Sequence, residues 1–179
     1  MPFTVAPMQR QEAPTVAGLW RAYMTGLSAD SGDMTANVFL RDGLGDCFHT
    51  MVARRGDGDP VAVCAWWMTY DVHHAAKGGE IPDMFVIPAC RGLGVAVQLI
   101  AAVARSVRER GGVFLRGPAT SENADRLVKS GHLDAAFPVV HVYWTRALFA
   151  ILADNADADA RTLARHLAAA RADSPAERQ

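Results

Sequence analysis

The sequence predicts an α/β fold: a mixed central β-sheet flanked by helices, followed by a helical C-terminal extension. Three observations predict it. Two strand-like runs, Cys47 to Arg54 and Val61 to Tyr70, are separated by Gly56-Asp57-Gly58-Asp59-Pro60, a strong turn signal, so they pair as a hairpin. A later strand passes through a glycine-containing turn into a long amphipathic helix and then into a short buried strand. That crossover makes the two strands parallel. From Ala147 the composition changes, with twelve alanines in the last 33 residues. The domain is therefore expected over residues 1–146 and the extension over 147–179.

The elements follow in order. Phe3 to Met8 alternates as a short opening strand. From Gln11 the period becomes helical, with Val16, Leu19, Trp20, Tyr23 and Leu27 near the spacing of one apolar face. Ser28 to Asp33 is a polar break, and Met34 to Leu44 reads as a second helix or a helix with a loop. After the hairpin, Asp71 to Gly79 is expected to be a polar loop carrying His73 and His74. The Trp66-Trp67 couple puts one indole on each face of the sheet, because side chains alternate. Glu80 to Ile87 resumes as a strand, and Arg91 to Gly94 turns the chain. The helix that follows runs to about Arg110 with Val95, Leu99, Ala102, Val103 and Val107 inward, and stops at Gly111-Gly112. Val113 to Leu115 is the short strand, Ser121 to Asp125 offers caps for a helix ending near Gly131, and Phe137 to Trp144 alternates as a late strand. The tail is expected as one or two surface helices with a frayed end from Ala172.

Composition excludes several classes of function. Half of the 179 residues are apolar and 21% charged, enough for a sizeable core and too apolar for wholesale disorder. The formal charge of −1 offers no field for nucleic acid or a membrane surface, so neither is an expected partner. The longest apolar runs, Val61 to Met68 and Ala147 to Ala153, are far shorter than a bilayer span, and Met1 to Thr4 shows no signal-peptide pattern. Cys47, Cys64 and Cys90 make neither a close-paired zinc site nor an even disulfide framework. A reduced, cytoplasmic protein without a metal is the expectation.

The chemistry concentrates in Asp83 to Ala96, where a strand enters a turn with Gly92 and Gly94 and a helix opens at once. Glycines let the backbone approach an anion, and the first helical turn has unpaired N–H donors at the positive end of its dipole. Together they suit a phosphate or pyrophosphate. A P-loop needs Gly-Lys-Ser/Thr, which is missing, and the dinucleotide fingerprint needs a third glycine where Val97 stands. What remains is Arg-x-x-Gly-x-Ala at 91 to 96, preceded by Val-x-Pro at 86 to 88.

This pattern resembles the coenzyme A pyrophosphate loop of the Gcn5-related N-acetyltransferase (GNAT) family, Gln/Arg-x-x-Gly-x-Gly/Ala. The order of elements from Phe3 to Trp144 is similar to that fold, and Asn123-Ala124 with Lys129-Ser130-Gly131-His132 is similar to the family's Asn-x-x-Ala…Leu-Tyr-x-Lys-x-Gly-Phe helix. The resemblance implies that Phe85 and Val86 pair with the pantetheine arm, admitted where the strands part around Val86 and Leu115. It implies that Arg91, Gly92, Leu93, Gly94, Val95 and Ala96 receive the pyrophosphate, with Asn123 approaching from the next helix. The acyl donor implied is acetyl-coenzyme A, and the acceptor a small-molecule or peptide amine.

Two departures stand out. Leu127 occupies the position of the tyrosine that many members use as general acid, and His132 that of the usual aromatic. That stretch therefore offers no tyrosine to protonate the leaving thiolate, and Tyr143 on the late strand is a further candidate acid. For the general base the candidates are Glu80 and Asp83; three residues apart on a regular strand, they face opposite sides. Glu80 is preferred, with His73 and His74 as substitutes. Trp66, Trp67, Tyr70 and Trp144 are candidate cleft aromatics. Cys90 beside the turn suggests a stabilised thiolate, but the family's usual route is direct transfer. The competing expectation is a domain that keeps the fold and binds coenzyme A or a partner without catalysis; the tail leaves a homodimer open.

Overall fold

Five strands form one sheet in chain order, β1-β2-β3-β4-β5. The structure, a computed structural model, describes residues 3–27, 33–56 and 58–118, together with 162, 165 and 169. The elements are β1 (Phe3–Pro7), α1 (Ala13–Gly26), α2 (Ala36–Asp42), β2 (His49–Arg55), β3 (Pro60–Asp71), β4 (Ala76–Val86), α3 (Val95–Glu109) and β5 (Phe114–Arg116). β1 to β4 are successively antiparallel, and β4 pairs with β5 in parallel across α3, as hairpin and crossover require. The chain divides into two units, Met1–Asp134 and Ala135–Gln179. In the second, Thr162, Arg165 and Ala169 are helical, and Arg165 donates to the Thr162 hydroxyl at 2.9 Å. The helix expected from Ser121 and the strand from Phe137 to Trp144 lie outside the described residues. Among the described residues no helix is long and apolar enough to cross a membrane.

Alternation along the strands gives the sheet two apolar faces. On one, Met51, Ala53, Cys64 and Trp66 pack with Val95, Leu99, Val103 and Val107, the stripe that makes α3 amphipathic. On the other, Val52, Val63, Ala65 and Phe85 pack with Met8, Val16, Ala17 and Trp20 of the α1 layer and Phe39 of α2. Fully burying one such Val, Leu or Phe side chain contributes roughly 1.5–3 kcal/mol, so both helical layers are held chiefly by these stripes. The start of α1 is fixed as well. Glu12, just before it, accepts both Arg54 Nε and Nη2 at 2.5 Å, and Arg54 also donates to the Pro7 carbonyl at 3.2 Å. Burial works against the Glu12 carboxylate, but the hydrogen bonds from Arg54 and from the Gln9 amide prevail and hold its pKa below the ordinary value.

The expected loop from Asp71 to Gly79 is largely strand. Only Val72 to Ala75 turns, and β4 begins at Ala76. Glycine is a poor strand residue, which is why Gly78-Gly79 reads as a loop. Tertiary packing overrides that preference. A Cβ on Gly78 would lie 2.5 Å from the Phe114 ring, and one on Gly79 would meet Val107 and Leu115. These glycines are where β5 and α3 close onto β4.

Candidate functional site

The turn between β4 and α3 has the backbone geometry that an anion cradle needs. After a short 3-10 turn at Pro88–Cys90, Gly92 has φ +75° and Gly94 has φ +79°, the left-handed region that favours glycine. Gly94 is the N-cap of α3, and no side chain caps the helix. The first-turn amides of Val95, Ala96 and Val97 therefore lack intrahelical acceptors. Among the described residues, ideal Cβ atoms on Gly92 and Gly94 would meet nothing within 4 Å. Leu93 is exposed, whereas Val95 is buried and anchors the helix start. Arg91 donates from Nε to the Val86 carbonyl at 3.0 Å, and its guanidinium lies 5.8 Å from the Phe85 ring centroid. The cation thus leans over the end of β4. Cys90 is buried, with Arg55 Nη2 at 3.9 Å from its sulfur.

β4 has two edges. The inner edge stays with β3 from Ala76 to Val86, and the Ile87 amide donates to the Val61 carbonyl at 3.1 Å. The outer edge pairs with β5 only through Gly78↔Phe114, Gly79↔Leu115 and Glu80↔Arg116. Leu115 is still paired, so the parting of the strands begins after Glu80 rather than at Leu115. From Pro82 to Val86 the outer edge has no strand partner among the described residues. That unpaired edge includes the backbone of Phe85 and Val86, and it leads into the glycine turn.

Sequence reasoning places Glu80 and Asp83 on opposite sides of the sheet, and the structure corrects this. The β3–β4 register runs Ala65↔Asp83 and then Trp67↔Glu80, so two β4 residues, Ile81 and Pro82, stand opposite Trp66 alone. This bulge resets the alternation. Ala65 and Trp67 share a face, so Asp83 and Glu80 share it too, and it is the face covered by α1. The available signal was Pro82. A proline inside a strand, unable to donate to the ladder, marks an edge or a bulge.

The two carboxylates have different partners. Arg116 of β5 donates from Nε to Glu80 Oε2 at 2.9 Å, with Nη2 at 2.8 Å from the same oxygen, and Nη2 also reaches the Thr69 hydroxyl at 2.9 Å. Glu80 is therefore oriented and its charge compensated. Asp83 instead accepts a 2.5 Å hydrogen bond from the hydroxyl of Tyr23 on α1. Burial, then the hydrogen bond to Asp83 and its negative charge, push the Tyr23 pKa well above the ordinary phenol value, so this hydroxyl stays a donor. Tyr23, Thr69 and Arg116 were not singled out from sequence. Tyr23 had one signal, a polar tip on the apolar stripe of α1.

The remaining candidates separate. Trp67 is half-buried on the Glu80 face, while Trp66 lies in the α3-side core and Tyr70 is exposed. His73 and His74 sit in the β3–β4 turn, at the far end of β4 from the loop, where Asp71 accepts from both backbone amides and contacts His74 Nδ1 at 2.7 Å. Asn123, Leu127, Tyr143 and Trp144 lie outside the described residues. Burial pushes the Cys64 thiol up to about 12, with the Asp83 charge adding to it, so it is no nucleophile. A separate pocket lined by His49, Thr50, Trp66, Ser106 and Arg110 lies near the C-terminal end of α3, about 22 Å from the loop by helical rise. There His49 stacks on Trp66 with centroids 4.4 Å apart. Burial, and then the charge of Arg110, hold the imidazole pKa below its ordinary value. Among the described residues no three His, Cys, Asp or Glu side chains converge as metal ligands.

Comparison with known proteins gives consistent findings. The pattern of the Acetyltransferase (GNAT) family matches residues 16–131. No curated protein matches the chain. Among solved structures, the chain is similar to a ribosomal-protein-alanine N-acetyltransferase from Brucella melitensis biovar Abortus 2308, with a TM-score of 0.64 and 23% identity over 80% of this chain and 99% of that one. It is also similar to an aminoglycoside acetyltransferase from an uncultured soil metagenomic sample, with a TM-score of 0.65 and 17% identity over 80% and 95% of the two chains. A third is glucosamine-6-phosphate N-acetyltransferase from Arabidopsis thaliana, with a TM-score of 0.61 and 16% identity over 80% and 100%. At these identities the likeness shows the fold.

Proposed function

The chain belongs to the acetyltransferase (GNAT) family, and on that footing we propose that it moves an acetyl group from acetyl-coenzyme A to a primary amine by direct transfer. The observation that carries the reading is the loop: two left-handed glycines lead into an uncapped helix N-terminus, beside a stretch of β4 edge without a strand partner. These residues fit the coenzyme. Arg91 and the amides from Gly92 to Ala96 would hold the pyrophosphate, and the backbone of Phe85 and Val86 would hold the pantetheine arm. Asn123 completes this set on the strength of sequence. Bound acetyl-coenzyme A supplies an acyl group activated as a thioester.

The chain's own work is to position the amine and take its proton. An ammonium has no lone pair, so a base must remove a proton before nitrogen can attack. Glu80 is assigned that role, directly or through water, because it sits where β5 leaves β4 and Arg116 fixes its rotamer. The new bond is nitrogen to acyl carbon; the carbon–sulfur bond breaks, and sulfur leaves with the electron pair. Tyr143 is the side chain assigned to protonate it, a role resting on sequence. Holding amine and thioester together supplies much of the acceleration. The neighbours' names span a ribosomal-protein alanine, an aminoglycoside and glucosamine-6-phosphate, so fold alone does not select the acceptor.

Calorimetric titration with acetyl-coenzyme A, then coenzyme A, tests the reading. Saturable binding at one site per chain, followed by amine-dependent thiol release, is the expected result. Absence of binding would overturn it. Binding without release for any amine would select a coenzyme-binding protein without transfer.

A further inference from the structure

The bulge in β4 places two carboxylates on one face, and among the described residues only one of them has a compensating cation. Glu80 has Arg116 within 2.8 Å. Asp83 has the Tyr23 hydroxyl, a neutral donor that supplies a hydrogen bond and no charge. Among the described residues no Lys, Arg or His forms an ion pair with Asp83. A half-buried carboxylate without a counter-charge is costly unless something cationic comes to it. Its setting suits an organic cation: Phe85 is buried with Arg91 over its ring, which leaves the part-exposed Tyr23 ring beside Asp83 and Trp67, opposite Glu80 on the same face, as the aromatic surface.

Resting on the transferase reading, we propose that Asp83, positioned by Tyr23, binds a second ammonium group of the acceptor, so that the enzyme selects amines bearing two or more cationic amino groups over monoamines. The amine that reacts lies at Glu80. The anchoring ammonium lies at Asp83, three residues along the strand, and the two Cα positions are at most roughly 10 Å apart by strand rise. An alkyl chain or an amino-sugar ring bridges such a gap. A neutral or singly charged amine leaves Asp83 unpaired.

Binding is measured first, so that the result does not depend on turnover. Diaminobutane and butylamine are titrated separately into the coenzyme A-saturated protein. The diamine is expected to bind about tenfold tighter, between a screened surface pair and a buried one, and more than its two equivalent ends provide by chance. Asp83→Asn keeps an acceptor for the Tyr23 hydroxyl and removes only the charge, so it should fold normally and erase the preference. Tyr23→Phe keeps the charge and should retain part of the preference. Equal affinities for the two amines in wild type, or a preference that survives Asp83→Asn, would overturn the proposal. Thiol release from acetyl-coenzyme A is then followed with both amines. A diamine preference in binding with no thiol release from any amine would sustain this site and refute the transferase reading instead.

Discussion

Substituting Gly94 separates two costs, one to the backbone and one to the ligand. At φ +79° and ψ 3°, with nothing within 4 Å of an ideal Cβ, alanine meets no steric obstacle and suffers only left-handed strain. That strain is about 1–2 kcal/mol, partly offset by the smaller freedom of the unfolded alanine chain. A net loss of about 1 kcal/mol lowers Tm by about 2–4 °C for a chain of this size. Gly94→Glu carries the same strain and adds a negative charge at the proposed pyrophosphate seat. One pair of like charges about 5 Å apart at an effective dielectric of about 20 repels by about 3 kcal/mol, an affinity loss of about a hundredfold. Both variants and wild type are compared by thermal melting and by calorimetric titration with coenzyme A. The two variants should melt within a degree or two of each other. Alanine should lose less than about tenfold in affinity, and glutamate about a hundredfold or more. If glutamate binds coenzyme A as alanine does, the pyrophosphate does not lie on this loop.

Glu80→Gln should lower kcat at least tenfold and leave coenzyme A affinity unchanged, because Gln still accepts from Arg116 and cannot take a proton; an unaltered pH–rate profile would move the base to water or to another group. Gly79→Ala drives a Cβ into Val107 and Leu115 and should cost about 1–3 kcal/mol, read as a lowered Tm, whereas Gly92→Ala meets no atom and should cost only its backbone strain. His49 carries a pH signature. Its folded pKa lies below the ordinary value of 6.5, chiefly through burial and then through Arg110, so below that pH the unfolded chain binds the proton more readily. Its contribution is fully present above pH 6.5 and is lost as pH falls through the folded value. The difference in stability between wild type and His49→Gln should therefore be flat above pH 7 and shrink below it; a difference independent of pH between 5 and 7 would refute the assignment.

What could be read from sequence, and what could not, follows from the range of the interactions. α3 was legible because Val95, Leu99, Ala102, Val103 and Val107 form one stripe, and all five are buried. The glycine loop was legible because a positive φ is a local demand that only a few residues meet, and Gly92 and Gly94 meet it. The extent of β4 was not, because Gly78 and Gly79 are strand glycines chosen by Phe114, Leu115 and Val107, residues far along the chain. Nor were the partners of the carboxylates, since Tyr23 is 60 residues from Asp83 and Arg116 is 36 from Glu80.

The bulge lies between these cases, and the cleft depends on it. Without the extra residue, strict alternation would leave Asp83 facing α1 and send Glu80 toward α3, the face where Gly79 meets Val107 and no residue larger than glycine fits. A carboxylate there would have neither Arg116 and Thr69 nor a route to an acceptor above α1. Pro82 is the residue that makes the regular ladder unfavourable, because it cannot donate a hydrogen bond to it. The arrangement of both carboxylates is thus favoured by a residue that bears no functional group. Pro82→Ala, which restores the missing donor, should loosen the bulge rather than remove it, since positions 81 and 82 together still stand opposite Trp66. The expected result is a kcat that falls more than Tm does. A variant that melts several degrees lower with unchanged kcat would show that the bulge serves packing and not the placement of Glu80.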